Sequence, residues 1–221
     1  MDFLPASSEL LVFENSLRDE GIFFVCGVDE AGRGCCAGPV CAAAVLFTDS
    51  ARIPAGVNDS KQLSHARRME LRERLLAEPS VVWSVAMVDQ HEIDDTDILR
   101  ATWRAMRLAV EGLSRKPEVA LVDGNPVQGL PVPSRAIVKG DARSASIAAA
   151  SILAKTSRDL YMIDMAKKYP LYQFDVHKGY CTALHAELIR KYGPCPLHRK
   201  TFEPVRSILN PPEYEQAAFD L

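Results

Sequence analysis

The order and character of its apolar segments predict an α/β fold for this chain, a mixed sheet flanked by helices. Strand-length apolar runs come first, and strands then alternate with helical stretches. Hydrophobic residues make up 48% of the 221, enough for a sizeable core without disulfide or metal staples. The length suits one domain over residues 1–221.

In chain order, "FFVCGVD" (23–29) reads as a buried strand. A Gly-containing turn leads into "PVCAAAVLF" (39–47), and the two runs are expected to pair as a hairpin. "NDSKQLS" (58–64) is a turn-rich loop whose Ser64 can cap a helix reaching about Ala77, with Pro79 beyond its end. "VVWSVAMV" (81–88) has the β-branched and apolar content of a third strand. Ile98 to Leu113 is helical, with Trp103, Met106 and Val110 on one face. "VALVDGN" (119–125) is a short strand ending in Asp-Gly-Asn, and "AIV" (136–138) is a further apolar run. From about Ser144 to Tyr169 an Ala-rich stretch without Gly or Pro predicts one long helix. "HKGY" (177–180) falls in a loop, and a last helix spans about Thr182 to Lys191.

Composition narrows the function classes. Asp2, Glu9 and Glu14 precede any base, unlike a secretion signal, and no run of about 18 apolar residues exists to span a membrane. A cytoplasmic protein is expected, and the lack of a heptad pattern points to a monomer. The six cysteines form no CxxC pair, and adjacent Cys35-Cys36 suits neither an ordinary disulfide nor zinc, so reduced thiols are expected. Net charge is −3, but residues 133–206 hold 13 Lys and Arg against 6 Asp and Glu. That balance of +7 leaves −10 on the remainder, a polarity compatible with a phosphate-tracking face.

Four carboxylates share an unusual address. Asp29, Glu30, Asp123 and Asp141 each fall where an apolar run stops or just before a helix starts. Alternation puts Val25, Gly27 and Asp29 on one strand face, and the turn that follows would let Glu30 swing back to that side. Taken singly, Asp-Gly-Asn is a turn, an Asp before a helix is a cap, and Asp-Glu at a strand end is solvated surface. Converging, the four would repel one another unless cations shared them. Hard divalent ions suit such oxygen ligands, and two of them about 3.5–4 Å apart could activate water and stabilise the leaving oxygen of a phosphodiester.

Other residues suit a polyanionic substrate. The glycines of Gly32-Arg33-Gly34 would leave peptide N–H and C=O groups open to a sugar hydroxyl. Ser151, Lys155 and Arg158 share a face of the long helix and would suit phosphate contact, although Lys155 and Asp159 could equally form an i,i+4 pair. Lys61 and Lys178 are further cationic candidates, and Tyr180 offers a flat face to a sugar or base. His177 reads as a structural hydrogen-bonding residue.

With these residues in view, the chain resembles the ribonuclease HII family, the bacterial type 2 ribonucleases H. The matching segments are "GVDEAGRG" with "AGPV", "NDSKQLS", "VDGN", "KGDARSASIAAASILAKTSRD", "HKGYCTALH" and "HRKTFEPV", in family order over residues 24–206. The resemblance implies a ribonuclease H-like fold, with a core over about 20–170 and a helical C-terminal extension over about 171–221. It implies cleavage of RNA in RNA–DNA hybrids and incision 5′ to single ribonucleotides in duplex DNA, leaving 3′-hydroxyl and 5′-phosphate ends. Asp29, Glu30, Asp123 and Asp141 match the acids that bind two Mg²⁺ or Mn²⁺ ions. Gly32, Arg33 and Gly34 match the motif that senses the ribose 2′-hydroxyl, and Tyr180 the tyrosine that stacks on the neighbouring deoxyribose. Cys35-Cys36 and Cys181 depart from the family pattern, the last standing where glycine is usual. With only about 24 residues before the first strand, the sister family, ribonuclease HIII, fits less well. The final "QAAFDL" (216–221) resembles hexapeptides that dock on the bacterial sliding clamp, against an ordinary tail. Two other functions share parts of this pattern: a different nuclease of the same fold, which would not need the sugar reader, and a non-catalytic binder, which would not need the acids.

Overall fold

The computed structural model describes residues 2–5, 9–58, 60 and 63–211. The expected hairpin forms: β1 (Val25–Ala31) pairs antiparallel with β2 (Val40–Phe47), and β2 pairs antiparallel with β3 (Val81–Val88). β4 (Val119–Asp123) and β5 (Ser134–Ile137) join parallel on the other side of β1. The order β3-β2-β1-β4-β5 makes one mixed sheet with β1 at its centre. The first strand starts at Val25 because the N–H groups of Phe23 and Phe24 donate to the Glu118 carboxylate instead of a ladder.

Helices cover both faces. α1 (Val12–Asp19), α2 (His65–Ala77) and α5 (Ala145–Lys168) lie on one side; α3 (Gln90–Asp95) and α4 (Ile98–Glu111) lie on the other. Ser64 caps α2 as expected, accepting from the Arg67 N–H at 3.2 Å. Strand alternation sorts the core: Ala43 and Val45 pack with Leu71, Leu75 and Ala149, whereas Cys26, Val28, Ala42 and Ala44 pack with Ala105 and Met106. The long helix presses closest where β1 carries Gly27; a Cβ there would stand 2.1 Å from the Ser146 carbonyl carbon. That contact fixes α5 over the strand two residues before Asp29.

After α5 the chain turns back through α6 (Phe174–His177), α7 (Ala183–Tyr192) and α8 (Val205–Leu209). Phe174, His177, His185 and His198 form a buried aromatic cluster here, with the His177 and His185 rings stacked at 3.9 Å. His177 is the structural residue expected: its Nε2 lies 2.7 Å from the Tyr172 carbonyl. Isolated bridges Cys35↔Tyr180 and Ala37↔His198 tie this part to the segment between β1 and β2. All six cysteines are free thiols. Among the described residues, no helix is long and apolar enough to cross a membrane.

Candidate active site

Val28 is registered against Val122, and the next residue on each strand is an aspartate, so Asp29 and Asp123 stand side by side. Asp141 arrives from the 3₁₀ turn Gly140–Ala142, immediately ahead of the Ser144 cap of α5. Asp123 Oδ1 accepts from the Gly140 N–H at 2.6 Å and the Asp141 N–H at 3.4 Å, binding that turn to the end of β4. One oxygen from each of Asp29, Asp123 and Asp141 lies within 4.8 Å of the other two.

Electrostatics say what this triplet needs. Asp29 is buried, and desolvation followed by the charges of Glu30 and Asp123 holds its carboxyl well above the usual range, against the opposing Ser151 hydroxyl and Glu30 N–H. Such crowding of hard oxygen ligands fits a divalent cation, which would relieve the repulsion between them.

Glu30 corrects one expectation. The strand continues through Ala31, with Glu30 registered against Ala42, so the residue does not swing back to the Asp29 side. It sits outside the close triplet, at the boundary between two clefts, and receives an ion pair from Arg33 at 3.2 Å. The cleft on the α5 side, about 210 Å³, is lined by Asp29, Gly32, Arg33, Asp123, Ser151, Lys155 and Tyr180, with Glu30 at its rim. The other, about 190 Å³, passes from Glu30 and Asp123 to Trp103 and Asn125.

The remaining candidates divide. Ser151 lies in the first cleft, its hydroxyl 2.7 Å from that of Ser60. Lys155 satisfies both readings made for it: Nζ pairs with Asp159 at 2.8 Å and stands 5.1 Å from the centre of the Tyr180 ring. Tyr180 is 41% exposed, so its ring faces the opening. Lys178, half-buried, donates its ammonium to the Asp175 carbonyl. Arg158 is not a phosphate contact. It is fully buried, and its guanidinium donates to the carbonyls of Pro39, Lys178 and Ala37 at 2.8–2.9 Å, which leaves nothing to reach a ligand. Lys61 lies outside the described residues, as does the 216–221 segment.

The turn also differs in one respect. Gly32, at φ 96°, passes so close to Arg158 that a Cβ would meet Nε at 2.0 Å. The carbonyls of Gly32 and Arg33 are not open to a ligand; they accept from the Arg199 guanidinium at 2.7 and 3.0 Å. Arg199, within the "HRKTFEPV" segment but not singled out in the sequence, is a residue that spacing could not reveal. Arg68, another lining residue, donates to the Ser60 carbonyl at 2.7 Å and so holds Ser60 at the cleft.

A mixed sheet in this order, with carboxylates at the ends of its two central strands and ahead of the helix crossing them, defines a metal-dependent nuclease of the ribonuclease H-like class. The comparisons with known proteins narrow the class. The sequence model of ribonuclease HII matches residues 26–205. A ribonuclease HII of Caldicellulosiruptor bescii is 52% identical over 189 residues, covering 86% of this chain and 91% of that one. One from Xanthomonas campestris is 43% identical over 219 residues, 99% and 90% of the two chains. Among solved structures, the ribonuclease H2 of Pyrococcus horikoshii superposes with TM-score 0.69 at 28% identity, covering 84% of this chain and 96% of that one. The ribonuclease HII in a complex with PCNA from Archaeoglobus fulgidus gives TM-score 0.69 at 26% identity, covering 81% and 95%. The chain belongs to the ribonuclease HII family, metal-dependent enzymes that hydrolyse the RNA strand of RNA–DNA hybrids.

Proposed function

We propose that the protein also incises duplex DNA on the 5′ side of a single embedded ribonucleotide, leaving 3′-hydroxyl and 5′-phosphate ends, and so serves ribonucleotide removal during replication and repair. One observation carries this reading: Asp29 and Asp123, two members of the carboxylate triplet, line the same cleft as Gly32, Arg33 and Tyr180. Acids alone would serve any nuclease of this fold. A sugar reader beside them selects ribose.

Asp29, Asp123 and Asp141, with Glu30 at the rim, would hold two divalent ions, Mg²⁺ or Mn²⁺. Such ions supply an activated water and stabilise the leaving oxygen. The protein's own groups position the substrate. The N–H side of the 32–34 turn donates to the 2′-hydroxyl, which deoxyribose lacks. Tyr180 stacks on the deoxyribose beyond the junction, its ring steadied by Lys155. The Ser151 hydroxyl beside Asp29 favours its charged form. Lys155, Lys178 and Lys61 are assigned to phosphates. Gln216, Phe219 and Leu221 are assigned to a sliding clamp, a reading supported by the PCNA complex of the Archaeoglobus fulgidus relative.

The test is incision of a labelled duplex carrying one ribonucleotide, with Mg²⁺ or Mn²⁺ against chelator, beside an all-DNA control. Metal-dependent cutting 5′ to the ribonucleotide, absent from the control, is expected. Equal cutting of both duplexes would remove the role given to the turn.

A further inference from the structure

Arg199 has an unusual set of partners for a buried cation. It is fully buried, and its Nε, Nη1 and Nη2 donate to the carbonyls of Gly38, Arg33 and Gly32 at 2.9, 3.0 and 2.7 Å. Its own N–H donates to the Cys36 carbonyl at 2.9 Å, and its guanidinium carbon stands 5.0 Å from the centre of the Phe202 ring. Burial, with the Arg158 charge beside it, lowers its pKa only to about 10, so it stays cationic at neutral pH. Each of the three guanidinium nitrogens is therefore turned onto the backbone of one segment, 32–38.

Peptide geometry converts that into a statement about donors. In a trans peptide the C=O and N–H point in opposite directions. The Gly32 carbonyl shares its peptide with the Arg33 N–H, and the Arg33 carbonyl with the Gly34 N–H. Two carbonyls drawn inward to one guanidinium thus turn two successive N–H groups outward, towards the cleft that Gly32 and Arg33 line. A cation on the carbonyl also polarises the amide and strengthens the N–H as a donor. Gly34 supplies an independent sign of where a ligand goes: nothing lies within 4 Å of where its Cβ would stand, so that side of the turn is open.

We infer that Arg199 is a positioning residue for ribose recognition, which orients and polarises the outward N–H pair of Arg33 and Gly34 from behind. This rests on the assignment of the 32–34 turn to the 2′-hydroxyl. It makes the C-terminal part of the chain, and not the β1–β2 connection alone, the source of sugar selectivity.

The experiment compares wild type with Arg199→Lys, whose single ammonium cannot hold three carbonyls in a plane. Expected for Arg199→Lys is a KM about tenfold higher on the single-ribonucleotide duplex with kcat little changed, as loss of oriented donors implies. The Mn²⁺-induced rise in thermal midpoint should persist, and the Arg33 and Gly34 amide ¹H resonances should move upfield. In Arg199→Ala, added guanidinium at low millimolar concentration should restore part of the KM. An unchanged KM, or a fall in kcat together with loss of the Mn²⁺ shift, overturns the inference. If Arg199→Lys does not fold, wild-type amide exchange decides. Fast exchange of the Arg33 and Gly34 N–H groups that slows on binding the ribonucleotide duplex under chelator upholds it, and protection without substrate overturns it. The two readings fail separately. A wild type that cuts all-DNA equally removes the turn's assignment, whereas a selective wild type matched by Arg199→Lys removes only the role of Arg199.

Discussion

At the residue scale, the site concentrates cost where chemistry needs it. Burial and the neighbouring carboxylates of Glu30 and Asp123 oppose the charged form of Asp29 and push its carboxyl up. Asp29→Asn removes that charge at nearly constant shape, so the metal-free variant should melt about 2–4 °C higher than wild type, as about 1 kcal/mol does in a chain of this size. The same variant should lose hydrolysis and the Mn²⁺-induced stabilisation, measured by thermal scans with and without metal. A lower midpoint would mean that Asp29 is structural. Cys181 offers a second residue-level test. It is exposed, and hydrogen bonding with the Cys36 thiol lowers its pKa to about 7, while the Cys26, Cys35, Cys36 and Cys41 thiols are buried and pushed up. Iodoacetamide at pH 7.5 should label Cys181 first, read by peptide mass spectrometry, and mild peroxide should impair wild type more than Cys181→Gly. The acids and the glycine turn were legible in the sequence because strand ends and glycines mark themselves. Arg158 and Arg199 were not, since residue type reports a charge but not whether it points at solvent or at a carbonyl.

At the scale of elements, the placement of the carboxylates depends on how closely α5 meets β1. Gly27→Ala sets a Cβ against the Ser146–Ile147 backbone, which no rotamer can relieve. It should cost about 3 kcal/mol or more, seen as a lower urea midpoint. The histidine cluster sets a pH limit. Burial, the larger cause in each, lowers His185 to about 3 and His198 to about 4, and lowers His177 as well. Their native forms are neutral, whereas the unfolded chain takes up protons below about 6.5. More protons on the unfolded state mean that this stability is fully present above pH 6.5 and is lost as pH falls towards 4. The urea midpoint should drop between pH 7 and 5, and less so in His185→Gln if the fold tolerates it. Periodicity made α4 plain, and Ala content without Gly or Pro made α5 plain, but α3, α6 and α8 span 6, 4 and 5 residues, too few to show either signal. β1 was placed two residues early because the sequence cannot show that Glu118 takes the N–H groups of Phe23 and Phe24.

Across the whole molecule, the acids and the bases are contributed by different parts of the chain but face one cleft. The sheet and the turn before α5 bring Asp29, Asp123 and Asp141; Arg33 and Lys155 line the cleft together with Tyr180. Of the 13 bases in residues 133–206, Lys155 lines this cleft, whereas Arg158 and Arg199 are buried on backbone carbonyls, so the +7 balance of that stretch is not a measure of charge facing the phosphates. If Lys61, Lys155 and Lys178 each meet one phosphate, counterion release makes log KM rise with log salt at a slope of about 2–3. Lys155→Ala should lower that slope by about 1 while leaving the preference for ribose over deoxyribose intact, since a phosphate contact carries no sugar information. Lys155 also pairs with Asp159 and steadies Tyr180, so Lys155→Arg is the control that keeps charge. A salt slope identical in wild type and Lys155→Ala would leave Lys155 as an ordinary helix ion pair. It would also move the path of the duplex towards the cleft beside Trp103 and Asn125.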